Sequence, residues 1–140
     1  MKLVDLAKSK LGTDFTDDNT VPDRVSCAFA ITTLLHEFDP DIPITAGTYG
    51  HWRWLQNSTK FVRVFEPQAG DIVISPTGTS SDPAHRLPNG HTGIYLTNNT
   101  IASNDSATGL FKQNYTRESW RALFHYYGRY SVYLYRYAPL

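Results

Sequence analysis

The chain contains a single cysteine, Cys27, and this scarcity excludes several classes of protein. One thiol cannot form an internal disulfide or a zinc site built from several cysteines. Excess charge of either sign is also missing, because 13 lysines and arginines balance 13 aspartates and glutamates. A neutral chain lacks the basic surface on which most nucleic-acid binding depends, so we expect no nucleic acid as a partner.

Long apolar runs are missing too, and no stretch approaches the roughly 20 residues that span a membrane. The first residues, MKLVDLAKSKLG, lack the apolar core of a secretory signal peptide. The sequence therefore predicts no membrane span and no signal peptide, with synthesis in a cytosol and release by another route for any action on a cell wall. A length of 140 residues predicts one domain, covering residues 1–140.

The apolar pattern predicts helices in the first part of the chain and strands in the second. Helical spacing is expected over the segments 3–11, 27–38 and 48–56, with a loop over 13–22. Strands are expected over 61–65, 71–75, 91–96, 100–103 and 130–137, with a long loop at 76–90 and a helical turn capped by Thr116. Helices followed by antiparallel strands define an α+β fold.

Cys27 opens the predicted helix 27–38, which Asp23 or Ser26 can cap. A thiol at a helix N-terminus is activated, because the helix dipole and the free amide N–H groups stabilise the thiolate. The same N–H groups can hold the oxyanion that forms when a thiolate attacks a carbonyl. The alternative is core packing, since free cysteine is commonly buried and Cys27 shares a helical face with Ile31 and Leu34.

His91 is the candidate general base, because it opens a predicted strand directly after the long loop, where a side chain is held rigidly. The alternative is an ordinary surface histidine. The strand 100–103 leads into the polar run Ser103-Asn104-Asp105-Ser106, whose oxygens could accept the imidazole N–H and fix its tautomer. Asn104 is our first choice for this third catalytic residue and Asp105 the second, against the alternative of simple turn chemistry.

Aromatic residues are the candidates for substrate binding. We expect Tyr49, Trp52 and Trp54, which lie together on the predicted helix 48–56, to line a groove for a sugar or a stem peptide. The alternative is that these rings pack into the core, as aromatic residues at helical spacing commonly do.

The order of the motifs resembles the papain-like cell-wall hydrolases of the CHAP and NlpC types. The matching segments are the helix-borne cysteine, PQAGDIVIS, GHTGIYL and IASNDSATG. The resemblance covers the whole chain, and SNDSATG followed by NYT and SW is similar to small phage-encoded lysins. It implies a papain-like fold with N-terminal helices packed on a C-terminal sheet, bacterial peptidoglycan as the substrate, and no metal or cofactor. It also implies thiol acyl transfer at an amide bond of the stem peptide or at the muramoyl-alanine link, with Cys27 as nucleophile and His91 as base.

Other interpretations stay open at this stage. A zinc-dependent amidase could use His85, His91 and Asp82, although the i, i+4 histidine pair of a specific zinc motif is missing. A non-catalytic module that binds cell wall or glycan would suit the nine tyrosines and three tryptophans. A glycoprotein would suit the N-x-Ser/Thr sequons, which fall at Asn57, Asn98, Asn104 and Asn114.

Overall fold

Helices precede strands in the computed structural model, which describes residues 1–16 and 23–139, with the backbone alone for 23–25. The helices are α1 (Leu3–Ser9), α2 (Asp23–Phe38) and α3 (Thr48–Asn57). The strands are β1 (Phe61–Val64), β2 (Ile72–Ser75), β3 (His91–Tyr95), β4 (Thr100–Asn104), β5 (Phe111–Thr116) and β6 (Tyr133–Tyr137). A short helix α4 (Arg117–Trp120) runs into a π-helical segment (Arg121–Tyr127) between β5 and β6. The predicted α+β class is confirmed.

The six strands form one antiparallel sheet in the order β1-β6-β2-β3-β4-β5. The last strand of the chain is inserted between β1 and β2, so the C-terminal segment completes the sheet rather than extending its edge. The central strands β2 and β3 contain the DIVIS and HTGIY segments singled out from the sequence. Of the residues that the structure describes, no helix is long and apolar enough to cross a bilayer.

Each face of the sheet is covered by a different layer, because alternate residues of a strand point to opposite sides. On one side, the helices α1 to α3 pack against the sheet. That core contains Ile31 and Leu34 of α2 with Ile72 and Ile94 of the sheet, all fully buried. On the other side, α4 and the π-helical segment bury a second cluster, whose members include Val73, Tyr95, Ile101, Trp120 and Phe124.

Two glycines place β3 against its neighbours at unusually short range. A Cβ atom on Gly90 would lie 1.9 Å from the carbonyl oxygen of Ser75, and one on Gly93 would lie 2.8 Å from Cγ2 of Ile101. The amide of Gly90 also donates to Oγ1 of Thr77 at 2.9 Å. Both glycines of the GHTG segment are therefore required by close backbone approach, and they flank His91.

The long loop at 76–90 is ordered by buried polar contacts. The Asp82 carboxylate is buried and accepts hydrogen bonds from the amides of Ala84 and Arg86 and from Nε of Arg86, all at 2.9–3.0 Å. The Tyr130 hydroxyl donates to the carbonyl of Leu87 at 2.7 Å. The loop is thereby held against the segment that precedes β6, and it presents Leu87 to the start of β3.

Two sequence expectations need correction. The helix that carries Cys27 begins at Asp23, so Cys27 is its fifth residue and lies one turn farther in than predicted. Strand β5 was not predicted, because FKQNYT is largely polar and its central residues are exposed at the edge of the sheet. The part of the predicted loop at 17–22, and any cap supplied by the Asp23 side chain, lie outside the described residues.

Substituting Gly90 tests the close approach of β3 to β2. We expect Gly90→Ala to lower the free energy of unfolding by about 3 kcal/mol or more, because the added methyl group would overlap a backbone oxygen that has little room to move. Urea denaturation measures this change. Gly50→Ala is the control, since its Cβ would meet only the Thr45 methyl at 3.2 Å in α3, and alanine favours a helix. Equal stabilities of the two variants would contradict the assignment.

Candidate active site

A cavity of about 510 Å³ opens where β3 begins and β4 ends. Cys27 of α2 and His91 of β3 both line it. Its other polar lining residues are Ser26, Asn89, Asn104, Asp105, Ser106 and Asn114, and its apolar wall is formed by Leu87, Tyr115, Leu123 and Phe124. The volume lies within the roughly 300–1,000 Å³ typical of small-molecule sites. The two residues predicted to carry the chemistry therefore share one cavity large enough for a substrate group.

The Cys27 thiol is neutral at neutral pH. The residue is only 6% exposed, and burial raises the pKa of the thiol to about 11. The backbone amides of Thr92, Ala28 and Cys27 itself offset part of that effect on the pKa. Because Thr92 follows His91, this contact places the sulfur beside the first residues of β3. The dipole of α2 acts weakly on the sulfur, since its influence falls off within the first turn.

The His91 imidazole is held in an aromatic cage. Its ring stacks on Trp120 with centroids 5.3 Å apart, stacks on Phe124 at 5.5 Å, and meets the edge of Tyr115 at 5.7 Å. Burial lowers the pKa of His91 to about 4, while the negative charge of Asp105 acts in the opposite direction. The imidazole is therefore uncharged at neutral pH, which is the form that can accept a proton.

A hydrogen-bonded chain fixes the tautomer of His91. Nε2 lies 2.9 Å from Oγ of Ser103, and the Ser103 hydroxyl donates to Oδ1 of Asn114 at 2.7 Å. A hydroxyl has one hydrogen, so the Ser103 oxygen is left to accept the hydrogen bond from Nε2–H. The proton of the neutral ring is therefore on Nε2, and Nδ1 carries the free electron pair.

Asn114 reaches this chain because of an irregularity in β5. Ile101 is paired with Tyr115, whereas the next residue, Ala102, is paired with Gln113, so Asn114 is an extra residue between two register positions. A β-bulge of this kind redirects a side chain. Sequence reasoning missed the two residues that follow His91 in this hydrogen-bonded chain. Ser103 was weighed but not chosen, and Asn114 lies on a strand that was not predicted.

The expected hydrogen bond from the imidazole to Asn104 or Asp105 is not formed. Asn104 is buried, and its Nδ2 donates to Oγ of Ser26 at 3.1 Å, one residue before Cys27. The Asp105 carboxylate accepts from Oγ1 of Thr108 at 2.9 Å and acts on His91 only through its charge. The reason is the alternation of side chains along a strand: Ser103 points to the face of the sheet on which His91 lies, and Asn104 points to the face covered by α2.

The predicted substrate-binding aromatics do not line this cavity. Trp52 stacks on Tyr133 with centroids 5.0 Å apart, and Trp54 meets Phe61 at 5.9 Å, so both pack against the core on the side of β1 and β6. Tyr49 is half exposed on α3 and contacts Trp52. Helical spacing turned the two tryptophan rings toward the sheet, which is the alternative that the sequence left open.

The residues considered for zinc binding do not converge. The carboxylate of Asp82 is occupied by Arg86, and His85 is an exposed residue of the same loop, with a φ of 50°. Within residues 1–16 and 23–139, no group of three histidine, cysteine, aspartate or glutamate side chains is arranged to hold a metal ion. Among the sequons, Asn104 is only 4% exposed, and a buried asparagine cannot carry a glycan in this fold.

No known protein family model matches the sequence, and a comparison with curated proteins finds no match. The site combines a thiol, a neutral imidazole of defined tautomer, and a cavity that both side chains line.

The protonation state of Cys27 can be tested by alkylation. With a pKa of about 11, the thiol should react slowly with iodoacetamide at pH 7, and the rate should rise about tenfold per pH unit without levelling off below pH 10. Mass spectrometry reads the reaction directly, since the chain has one cysteine. The urea-unfolded chain is the control and should level off near pH 9. A thiolate-like rate at pH 5–7 in the folded protein would instead show a thiolate–imidazolium pair.

Proposed function

We propose that this protein is a cysteine hydrolase that cleaves amide bonds, with Cys27 as nucleophile and His91 as general base. The observation that carries the proposal is the shared cavity, lined by the lone thiol and by an imidazole whose Nδ1 is free to accept a proton. The papain-like fold implied by the sequence resemblance belongs to the same proposal.

The reaction follows from the protonation states. Because the pKa values of about 11 and about 4 leave both groups neutral, the proton must move during attack rather than before it. Nδ1 of His91 takes the proton from Sγ of Cys27 as the sulfur adds to the substrate carbonyl. The imidazolium then protonates the leaving amine, and a thioester to Cys27 remains. Water, deprotonated by His91, attacks the thioester and releases the carboxylic acid and the free thiol.

Two neighbours stabilise the imidazolium that forms. Ser103 keeps accepting from Nε2–H, and the negative charge of Asp105 favours the protonated ring. Hydrogen bonds, chiefly from Thr108, lower the pKa of Asp105, so its carboxylate is charged at neutral pH. Asp105 thus keeps a part in the proposed reaction through its charge, whereas Ser103 takes the orienting role that the sequence assigned to Asn104.

The composition of the cavity favours a peptide-like substrate. Its polar wall is rich in amide side chains, from Asn89, Asn104 and Asn114, which can pair with peptide groups. Asp105 is the only carboxylate among the described lining residues, so the pair of acids that glycoside hydrolysis requires is not supplied there. With the sequence resemblance, this supports an amide bond of bacterial peptidoglycan as the target.

A non-catalytic wall-binding module is the second candidate. The raised pKa of Cys27 favours it, because a thiol that stays protonated is a poor nucleophile without a base. The two candidates differ in what the loss of the thiol does: binding to cell wall would survive it, whereas hydrolysis would not.

Digestion of purified peptidoglycan decides between them. We expect the wild-type protein to release fragments with new amine and carboxyl ends, seen by mass spectrometry, and Cys27→Ala to release them at least about 10³-fold more slowly. His91→Ala should lose activity to a similar extent, while its thermal melting temperature stays within a few degrees of that of the wild type. His85→Ala is the matched control and should retain activity, since His85 is exposed and does not line the cavity. Identical digests from wild type and Cys27→Ala would overturn the catalytic assignment.

The hydrogen bonds from His91 to Ser103 and from Ser103 to Asn114 can be tested by substitution. Replacing Asn114 by aspartate should raise the pKa of His91, because a carboxylate beside Ser103 stabilises the imidazolium. The acidic limb of the pH–rate profile, expected near pH 4 for the wild type, should therefore move upward in Asn114→Asp. Gln113→Glu adds the same charge on a neighbouring exposed residue, and an equal shift of the acidic limb in that variant would assign the effect to general electrostatics.

Ser103→Ala should reduce kcat by roughly 10–100-fold with little change in KM, because the tautomer of His91 is no longer held.

A further inference from the structure

The oxyanion of the proposed reaction needs a hydrogen-bond donor, because attack of the sulfur on a carbonyl moves negative charge onto the carbonyl oxygen. A helix offers unpaired donors only from about its first four N–H groups. Cys27 is the fifth residue of α2, so its own amide and that of Ala28 are paired within the helix. The donors expected at the end of this helix are therefore not available at the sulfur, and a side chain of the cavity has to provide one.

Tyr115 of β5 is held rigidly at the cavity that Cys27 and His91 also line, and its ring belongs to the apolar wall. The centre of this ring lies 5.7 Å from that of His91, 5.2 Å from that of Trp120 and 5.7 Å from that of Phe124. Three aromatic neighbours fix the orientation of the ring and so the direction of its hydroxyl. A donor that is positioned before the substrate arrives is what stabilisation of an oxyanion requires.

The Tyr115 hydroxyl is a donor that the protein leaves unused. Within residues 1–16 and 23–139 it forms no hydrogen bond, and its oxygen is not sealed in the interior, so it is open to the cavity. Burial raises the pKa of this phenol, and negative charges on Asp105 and Cys27 raise the pKa further, so the hydroxyl stays protonated at neutral pH. The effect of Cys27 shows that the phenol oxygen lies close enough to the sulfur to respond to its charge.

Several other side chains of the cavity are less suited to this role. Nδ2 of Asn104 already donates to a hydroxyl of α2 at 3.1 Å, and Oδ1 of the same residue can only accept. Asn89 and Ser106 are exposed, and no hydrogen bond from the described part of the chain holds either side chain in place. Asn114 is exposed and is held through its Oδ1 by Ser103. Tyr115 combines a fixed ring with an unused donor, which these side chains do not.

We propose that the Tyr115 hydroxyl donates a hydrogen bond to the carbonyl oxygen of the substrate and stabilises the oxyanion that forms when Cys27 attacks. Tyr115 keeps its proton throughout. The electron pair that moves onto the oxygen as the C–S bond forms returns to the C=O bond when the amine leaves. A hydrogen bond to a charged oxygen is stronger than one to a neutral carbonyl, so this contact favours the transition state over the bound substrate. The role rests on the proposed attack of Cys27 on a carbonyl.

Two reagents that modify the Cys27 thiol by different routes test this role in the full chain. p-Nitrophenyl acetate acetylates the thiol through a tetrahedral oxyanion and releases p-nitrophenolate, whereas iodoacetamide alkylates it by displacement of iodide, without an oxyanion. We expect Tyr115→Phe to slow the acetylation by at least about tenfold. The same variant should be alkylated at a rate within about twofold of the wild type at equal pH, because alkylation depends on the thiolate alone. Mass spectrometry measures both products at the single cysteine.

Tyr127→Phe is the matched control, because it removes the hydroxyl of a half-exposed tyrosine that does not line the cavity, and both of its rates should equal those of the wild type. Tyr115→Phe keeps the ring and its aromatic contacts, so its thermal melting temperature should stay within a few degrees of that of the wild type. Equal acetylation rates in Tyr115→Phe and the wild type would overturn the role. Equal slowing of both reactions would assign Tyr115 to the access or ionisation of the thiol, and would overturn the role as well.

Neither reagent involves peptidoglycan, so the result is separate from the test of the proposed hydrolase. Selective slowing of acetylation, in a protein that does not digest peptidoglycan, would support the donor and remove the substrate. Digestion of peptidoglycan together with unchanged acetylation in Tyr115→Phe would support the hydrolase and remove the donor. A wild-type thiol that the ester does not acetylate would also overturn the donor.

Discussion

The placement of β3 between β2 and β4 is the constraint on which the candidate site depends. Gly90 and Gly93 let this strand approach both neighbours more closely than a Cβ would allow. The first residue of β3 is thereby fixed at the end of the sheet, where the layers on its two sides meet. His91 points to the aromatic layer and Thr92 to the helical layer, so the imidazole lies among Trp120 and Phe124 while the next amide contacts Cys27.

The second cluster then determines the protonation state of His91. Trp120, which stacks on His91, is itself held by a hydrogen bond from its Nε1 to Oγ of Ser75 on β2, at 3.1 Å. Such a ring wall removes water from the imidazole and lowers its pKa, because the charged form loses hydration. The same burial raises the pKa of the thiol. One physical cause, burial, therefore leaves both the imidazole and the thiol uncharged at neutral pH.

The sequence was sufficient to predict the α+β class, most of the elements and the location of Cys27 and His91 at one cavity, because strong local patterns encode them. Helical spacing marks α2, and the GHTG segment marks the start of β3. The third residue depends on side-chain alternation and on the bulge at Asn114, neither of which a single sequence displays. The observed residue, Ser103, is one position before the predicted residue, Asn104, and neighbouring side chains of a strand point to opposite faces of the sheet. The aromatic residues expected to bind substrate do not line this cavity for a related reason: spacing places Trp52 and Trp54 on a helix but does not say which way that helix faces.

Transfer of the proton from Cys27 to His91 is unfavourable in the resting cavity, because the pKa of the thiol lies far above that of the imidazole. Each pKa unit of difference corresponds to about 1.4 kcal/mol. A hydrolase built this way must recover that free energy in the transition state, where the imidazolium and the oxyanion exist together. Asp105 and Ser103 favour the imidazolium, and the backbone amides of Thr92 and Ala28 at the sulfur favour the thiolate from which the attack begins. These interactions gain strength when a substrate fills the cavity and excludes water. In the proposed hydrolase, the neutral resting pair would therefore favour substrates large enough to close the cavity, and the thiol would stay protonated in their absence.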